Sequence, residues 1–343
     1  MILFCSDYQE GAHPAILEKL HAINLTQNPG YGTDDICHKA AELIKEKCHC
    51  PGADVHFLVG GTQTNTTVIS AALRPYQGVL CAYTGHINTH EAGAIEAAGH
   101  KVLAVHSPDG KITAAQVERE VVLQADFEHT VKPGMVYISF STEAGTLYTL
   151  AELTALRQAC DKHRLYLFLD GARLGYGLCG EGNDVSLPDI ARLCDVFYIG
   201  GTKGGALFGE AVVIVNPALK PDFRYFIKQR GGMLAKGWLL GVQFLTLFEA
   251  DRYLAAAAHA QRLAMTIRDA LRRLGIPFLI DSPTNQQFPI LKDEVLQKLS
   301  DRYAFSIQEK TDDTHTAVRI CTSWATREED VQALIRDLGS AVS

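Results

Sequence analysis

The sequence predicts an α/β fold, and three observations carry that reading. From about residue 55 to residue 215 short apolar runs alternate with amphipathic stretches, the grammar of βαβ units and a mostly parallel sheet. Several of those runs, such as Leu165–Leu169, show no polar alternation, as expected for strands buried on both faces. Beyond residue 275 the alternation gives way to closely spaced strands and helices, the mark of a smaller α+β unit.

Bulk properties agree with a soluble globular chain. At 343 residues the sequence is long for one core, so one large and one smaller domain are expected. With 47% hydrophobic and 21% charged residues the composition is that of a folded protein. The net charge of −7 and the lack of a basic stripe speak against nucleic acid as a partner. No apolar run reaches the ~20 residues a membrane helix needs. The start MILFCSDYQEG has no basic n-region and is not read as a signal peptide. Nine cysteines without framework spacing suit reduced thiols and a cytoplasmic location.

Taken in order, His13-Pro14 opens a helix through Ile16, Leu17 and Leu20. The loop Asn28–Asp35 follows, and Thr33 or Asp34 caps a helix through Ala40, Leu43 and Ile44. Cys48-His49-Cys50 matches no zinc spacing and is read as a helix end. A strand at Val55–Val59 runs into Gly60-Gly61-Thr62-Gln63-Thr64-Asn65 and the apolar helix Val68–Leu73. Glycines at a helix start admit an anion against free N–H groups, so this is the expected phosphate site. It is neither a dinucleotide fingerprint nor a P-loop.

Val79–Tyr83 is the next strand, ending at Thr84-Gly85-His86. His86 and His90 stand at i, i+4 without the H-E-x-x-H order. A strand-end imidazole over a flat ring is therefore favoured above zinc. Strands Lys101–His106 and Val136–Phe140 flank an exposed helix, Gln116–His129, and an amphipathic helix spans Leu150–His163. Val196–Ile199 and Val212–Val215 complete the series. Arg224–Leu247 mixes loop and helix, and a long helix covers Asp251–Leu274. Then come strands Pro277–Ile280, Gln287–Leu291, Phe305–Gln308 and Val318–Cys321, with helices Glu294–Tyr303 and Arg327–Leu338. The expected division is 1–248 and 249–343, with the N-terminal segment packing toward the small domain.

Two strand ends carry the chemistry. Leu165–Leu169 stops at Asp170-Gly171-Ala172-Arg173, and Val196–Ile199 stops at Gly200-Gly201-Thr202-Lys203-Gly204-Gly205. Open α/β sheets bind ligands outside the carboxyl ends of their strands. A lysine amine there can hold a carbonyl cofactor as a Schiff base, and a carboxylate can keep a pyridine nitrogen protonated. The pair points to pyridoxal 5'-phosphate.

These residues resemble the threonine aldolase family of aspartate-aminotransferase-like enzymes. The match is carried by Ser6-Asp7, Tyr31-Gly32-x-Asp34, Gly61-Thr62-Gln63-x-Asn65, His86-x4-Glu91-Ala92-Gly93, Asp170-Gly171-Ala172-Arg173, Thr202-Lys203-Gly204 and Arg319-x2-Thr322. The resemblance implies fold type I, with a mostly parallel seven-stranded sheet. It implies cleavage of a β-hydroxy-α-amino acid such as threonine or allo-threonine to glycine and an aldehyde. It makes Lys203 the Schiff-base lysine, Asp170 the partner of the pyridine nitrogen, and His86 the group over the ring; His86 is one candidate base and a bound water another. Gly61, Thr62, Gln63 and Thr202 would surround the phosphate end, with Arg173 near the cofactor and Lys228 or Arg230 reaching the phosphate. Ser6, Tyr31, Arg173 and Arg319 would meet the substrate, arginine suiting its carboxylate through a planar fork. Glu143, also expected at the substrate, stands where members of the family often carry a histidine. A homodimer or homotetramer with sites at the interface is implied, and no metal. Two alternatives stay open: β-elimination or another amino-acid reaction on the same scaffold, and a non-catalytic binding protein.

Overall fold

The computed structural model of the chain describes residues 1–125 and 127–342. The N-terminal strand β1 (Ile2–Leu3) is followed by the seven strands of the main sheet. These are β2 (Asp54–Leu58), β3 (Gln77–Ala82), β4 (Val102–Val105), β5 (Lys132–Ser139), β6 (Tyr166–Asp170), β7 (Val196–Gly200) and β8 (Glu210–Ile214). Their spatial order is β2-β8-β7-β6-β5-β3-β4. Only β8 runs against the rest, antiparallel to both β7 and β2. The sheet is thus mostly parallel, as the sequence predicts.

Side chains alternate across the sheet with the period of two that a strand imposes. Leu80, Val136, Leu167, Leu169, Phe197 and Val213 point to one face and join one core. Val79, Met135, Tyr137, Phe168, Tyr198 and Val212 point to the other. The first face is covered by helices Asp35–Lys47, Leu150–His163 and Trp238–Phe248, which contribute Ile44, Leu156 and Phe244. The second is covered by Gly61–Ala72 and Phe223–Gln229, through Ile69 and Ile227. Covering both faces explains why these strands read as unbroken apolar runs.

Local chemistry sets the helix starts. His13 caps Pro14–Ile23 through its ring and Asp34 caps Asp35–Lys47, while Thr149 and Glu152 form a capping box for Leu150–His163. The helix expected at Gln116–His129 is instead Ala114–Leu123, started early by a Thr113/Gln116 capping box, with a separate 3-10 turn at Phe127–His129. Residue 126 lies outside the described residues.

The long helix Arg252–Arg273 leads to the smaller sheet. Strands β9 (Phe278–Ile280), β10 (Gln286–Lys292), β11 (Tyr303–Ala304), β12 (Ser306–Lys310) and β13 (His315–Cys321) follow; four of them pair in the order β12-β13-β10-β9. The helix expected to reach Tyr303 ends at Leu299, because Tyr303 and Ala304 pair in parallel with Ile2 and Leu3. That long-range pairing, absent from the sequence reading, puts Phe4 into the core formed by Leu263, Leu291, Val318 and Leu334. Among the described residues no helix is long and apolar enough to cross a membrane.

The ends of β6 and β7 touch through backbone. A Cβ on Gly171 would lie 1.8 Å from the Tyr198 carbonyl oxygen, and one on Gly200 would lie 2.4 Å from that of Ala172. Gly171→Ala is therefore expected to push the strand ends apart and destabilise the fold by about 1–3 kcal/mol. A urea midpoint unchanged from the wild type would contradict this close approach.

Candidate active site

Parallel strands place their carboxyl ends on one side of the sheet, and the loops leaving β2, β3, β5, β6 and β7 converge there. They enclose a cavity of about 320 Å³. Gly61 and Thr62 come from the loop after β2, His86 from that after β3, and Glu143 from that after β5. Asp170 and Arg173 come from the end of β6, and Thr202 and Lys203 from the turn after β7. Glu210 joins them because β8 runs in the opposite sense and presents its first residue at the same edge.

Asp170 is buried at 4% exposure and is met by donors on both oxygens. Its Oδ1 accepts from the Ala172 N–H (2.9 Å); its Oδ2 accepts from Asn65 Nδ2 (3.2 Å) and from the Tyr137 hydroxyl. Asn65 also donates to Glu91 Oε1 (2.7 Å), which lies 2.8 Å from His86 Nδ1. Burial alone would lower the His86 pKa, but the Glu91 hydrogen bond and the charges of Asp170 and Glu91 outweigh it and raise it.

Lys203 is half-buried in the cavity wall, its carbonyl accepting from the Tyr176 hydroxyl at 2.6 Å. Burial and the neighbouring Arg173 charge lower its pKa, which favours a neutral, nucleophilic amine. Beside it, burial raises the pKa of Glu210, whose Oε1 accepts from Thr202 Oγ1 (2.9 Å) and Oε2 from the Gly201 N–H (3.1 Å).

At the opposite end Arg173 grips Asp7 through Nε (2.8 Å) and Nη2 (3.0 Å), and Asn285 Nδ2 donates to the same carboxylate at 3.0 Å. This geometry leaves Nη1 of Arg173 for an anion in the cavity. Asp7 is completely buried. Burial opposes its charge, but Arg173 and Lys203 outweigh that and bring its pKa down to about 2.

Other expected residues stand elsewhere. Gln63 turns from the cavity, accepting from the Val59 N–H and donating to the Arg230 carbonyl. Arg230 donates to Ser70 Oγ on the helix that starts at Gly61. Tyr31 lines a second cavity of about 240 Å³, and Lys228 Nζ lies 4.9 Å from its ring centroid. Arg319 donates to the Cys5 carbonyl (2.9 Å) and Gln286 Oε1 (3.2 Å), and neither it nor Ser6 lines the main cavity. The sequence reading left Asp7, Asn65, Glu91, Tyr137 and Glu210 without roles. Asp7, Asn65 and Glu91 sit inside motifs that carry the resemblance, and Glu210 is a lone acid heading an apolar run.

The β-eliminating lyase family model matches residues 4–294. A low specificity L-threonine aldolase from Pseudomonas sp. (strain NCIMB 10558) is 30% identical, over 99% of this chain and 98% of its own length. A solved structure of a Leishmania major threonine aldolase superposes with a TM-score of 0.99 at 46% identity, covering 100% of both chains. Thermus thermophilus aspartate aminotransferase, at 16% identity and a TM-score of 0.71 over 99% of this chain and 91% of its own, shares the fold.

The Asp7–Arg173 pair yields a stability prediction. Asp7 titrates near 2 in the fold against 3.8 ordinarily, so the pair contributes about 2 kcal/mol at neutral pH. A lowered acid pKa gives stability that is complete above a pH of about 4 and lost as pH falls through about 2. Asp7→Asn, which leaves Arg173 without its counter-charge, is expected to cost about 3–5 kcal/mol at neutral pH. Its urea stability between pH 4 and 2 should also change less than that of the wild type; equal slopes would exclude Asp7 as the titrating group.

Proposed function

The chain belongs to the β-eliminating lyase family and within it to the threonine aldolases, and from that premise we propose that this lyase cleaves L-threonine or L-allo-threonine to glycine and acetaldehyde with pyridoxal phosphate. The observation that carries the proposal is one cavity holding Lys203, Asp170, His86 and Arg173 at converging strand ends.

The residues fit the cofactor. Lys203, half-buried in the cavity wall with a lowered pKa, would hold its carbonyl carbon. Asp170, with donors on both oxygens, would meet the pyridine nitrogen, and the imidazole of His86 would lie against the ring. Gly60 has open space where a Cβ would stand. Beside it the helix Gly61–Ala72 begins with backbone N–H groups that lack helical partners, a cradle for phosphate with Thr62 and Thr202 nearby. When bound, the cofactor supplies a protonated ring that accepts the electron pair released at the substrate's Cα.

The chain's own groups do the rest. Arg173 Nη1 binds the substrate carboxylate while Asp7 fixes the guanidinium plane. Glu91 holds the imidazole of His86 in one orientation and Asn65 ties that carboxylate to Asp170, so ring contact and nitrogen contact are set together. Ser6 and Arg319 would assist at the carboxylate end. Tyr31 at the second cavity, Lys228 beside its ring and Arg230 on the adjoining segment would serve a neighbouring protomer in a homodimer or homotetramer. The nine free thiols support a cytoplasmic setting.

Protein saturated with pyridoxal phosphate is expected to release acetaldehyde and equimolar glycine from L-threonine or its allo isomer. 2-Oxobutanoate and ammonia in their place would overturn the retro-aldol reading in favour of elimination. Lys203→Ala is expected to abolish turnover and the absorbance of the lysine-bound cofactor. Asp170→Asn is expected to lower kcat at least about a hundredfold with KM within about threefold, because its partner acts on the electronics of the step rather than on binding. Equal changes in kcat and KM would remove Asp170 from that role.

A further inference from the structure

Retro-aldol cleavage needs a base for the β-hydroxyl proton, and the cavity offers few groups able to accept one. His86 is disfavoured by its own surroundings. Its Nδ1 is tied to Glu91 Oε1 at 2.8 Å, and its ring is the face that would lie against the cofactor, so the imidazole is committed there. Asp170 has donors on both oxygens and would meet the pyridine nitrogen, and Glu210 is held on both oxygens by Thr202 and Gly201. Lys203 would hold the cofactor carbonyl.

Glu143 is different. Its Oε1 accepts from Ser139 Oγ (2.7 Å) and from the His86 backbone N–H (3.0 Å), which pins the carboxyl plane. Its Oε2 makes no hydrogen bond to another residue among those described, and the side chain is partly open to the cavity. One oxygen is anchored and the other is presented. We infer that Glu143, through Oε2, takes the proton of the substrate's β-hydroxyl as the Cα–Cβ bond breaks. This rests on the retro-aldol reading and deepens it.

The step balances. The O–H electron pair becomes the second bond of the aldehyde carbonyl, the Cα–Cβ pair stays with the glycine fragment, where the bound cofactor would accept it, and the proton sits on Glu143. The Cα of the glycine fragment takes one proton from solvent and Glu143 returns its own, so turnover is proton-neutral.

The surroundings tune the acid. Burial raises its pKa, the Ser139 hydrogen bond offsets part of this, and the Asp170 charge raises it further. The other charged or titratable groups facing it are Arg173, Cys81, Tyr137, Tyr148 and His86. A carboxylate with a raised pKa is a stronger base than an exposed one, so the effect assists proton removal near neutrality. Because the ionised form is the active one, cleavage is expected to fall as pH drops through the Glu143 pKa.

The test uses the enzyme loaded with pyridoxal phosphate. Glu143→Gln is expected to lose about 10²–10⁴-fold in aldehyde release from L-threonine. It should still take up cofactor and show the absorbance change on glycine binding with Kd within about threefold, since glycine has no β-hydroxyl. In Glu143→Ala, which opens space for a small acid, formate should restore part of the lost rate. A Glu143→Gln enzyme that keeps wild-type turnover and the same acid limb overturns the inference, as does a Glu143→Ala enzyme that formate does not accelerate. A wild-type protein that releases no aldehyde overturns the retro-aldol reading and this inference with it, whereas failure in the variants alone leaves the aldolase standing.

Discussion

The site depends on a contact between two strands that leaves no room for a side chain. Gly171 meets the Tyr198 carbonyl and Gly200 meets the backbone of Ala172, while the Gly200 N–H donates to the Gly171 carbonyl at 2.9 Å. Both glycines follow or end a buried strand, so the loops that leave β6 and β7 start in direct backbone contact. Asp170 precedes one glycine and Lys203 follows the other by three residues. The carboxylate and the amine therefore face one cavity because the strand ends are pressed together there. The two glycine motifs are read better as one packing solution than as two ligand loops.

Around that contact the fold keeps an unusual number of acids out of water. Asp7, Glu91, Asp170 and Glu210 are all buried. Buried charge is costly unless donors or counter-charges surround it, and each of these has them: Arg173 and Asn285 for Asp7, Asn65 and His86 for Glu91, Tyr137 and Asn65 for Asp170, Thr202 and Gly201 for Glu210. Glu91 Oε2 and Asn65 Oδ1 remain buried and without partners among the described residues. The network is thus rigid on the side facing His86, where orientation of the ring matters, and less satisfied behind it.

Much of this was legible in the sequence because it rests on local patterns. Strands covered on both faces announce themselves as unbroken apolar runs, and Asp170 and Lys203 stand where such runs stop. Capping residues such as Thr149 mark helix starts to the residue. What stayed hidden depends on chain direction and long-range pairing. Glu210 looks like the start of an ordinary strand until β8 is seen to run against its neighbours. Asp7 reads as a loop acid until Arg173, far along the chain, closes on it. Tyr137 reads as core, and only the register of β5 beside β6, which sets Ser139 opposite Asp170, shows its hydroxyl reaching that acid.

The pairing of Ile2–Leu3 with Tyr303–Ala304, and the reach of Asp7 to Asn285, also set an order of events during synthesis. The main sheet is complete once β8 has left the ribosome, but the strand next to Asp7 lacks its own strand partner until β11 emerges. At roughly 5–20 residues per second, the first residues wait some tens of seconds for the last ones they touch. Through that interval the carboxylate that grips Arg173 is carried by a segment not yet fixed at its far side. The Asp7–Arg173 pair is thereby secured from both directions only late in synthesis.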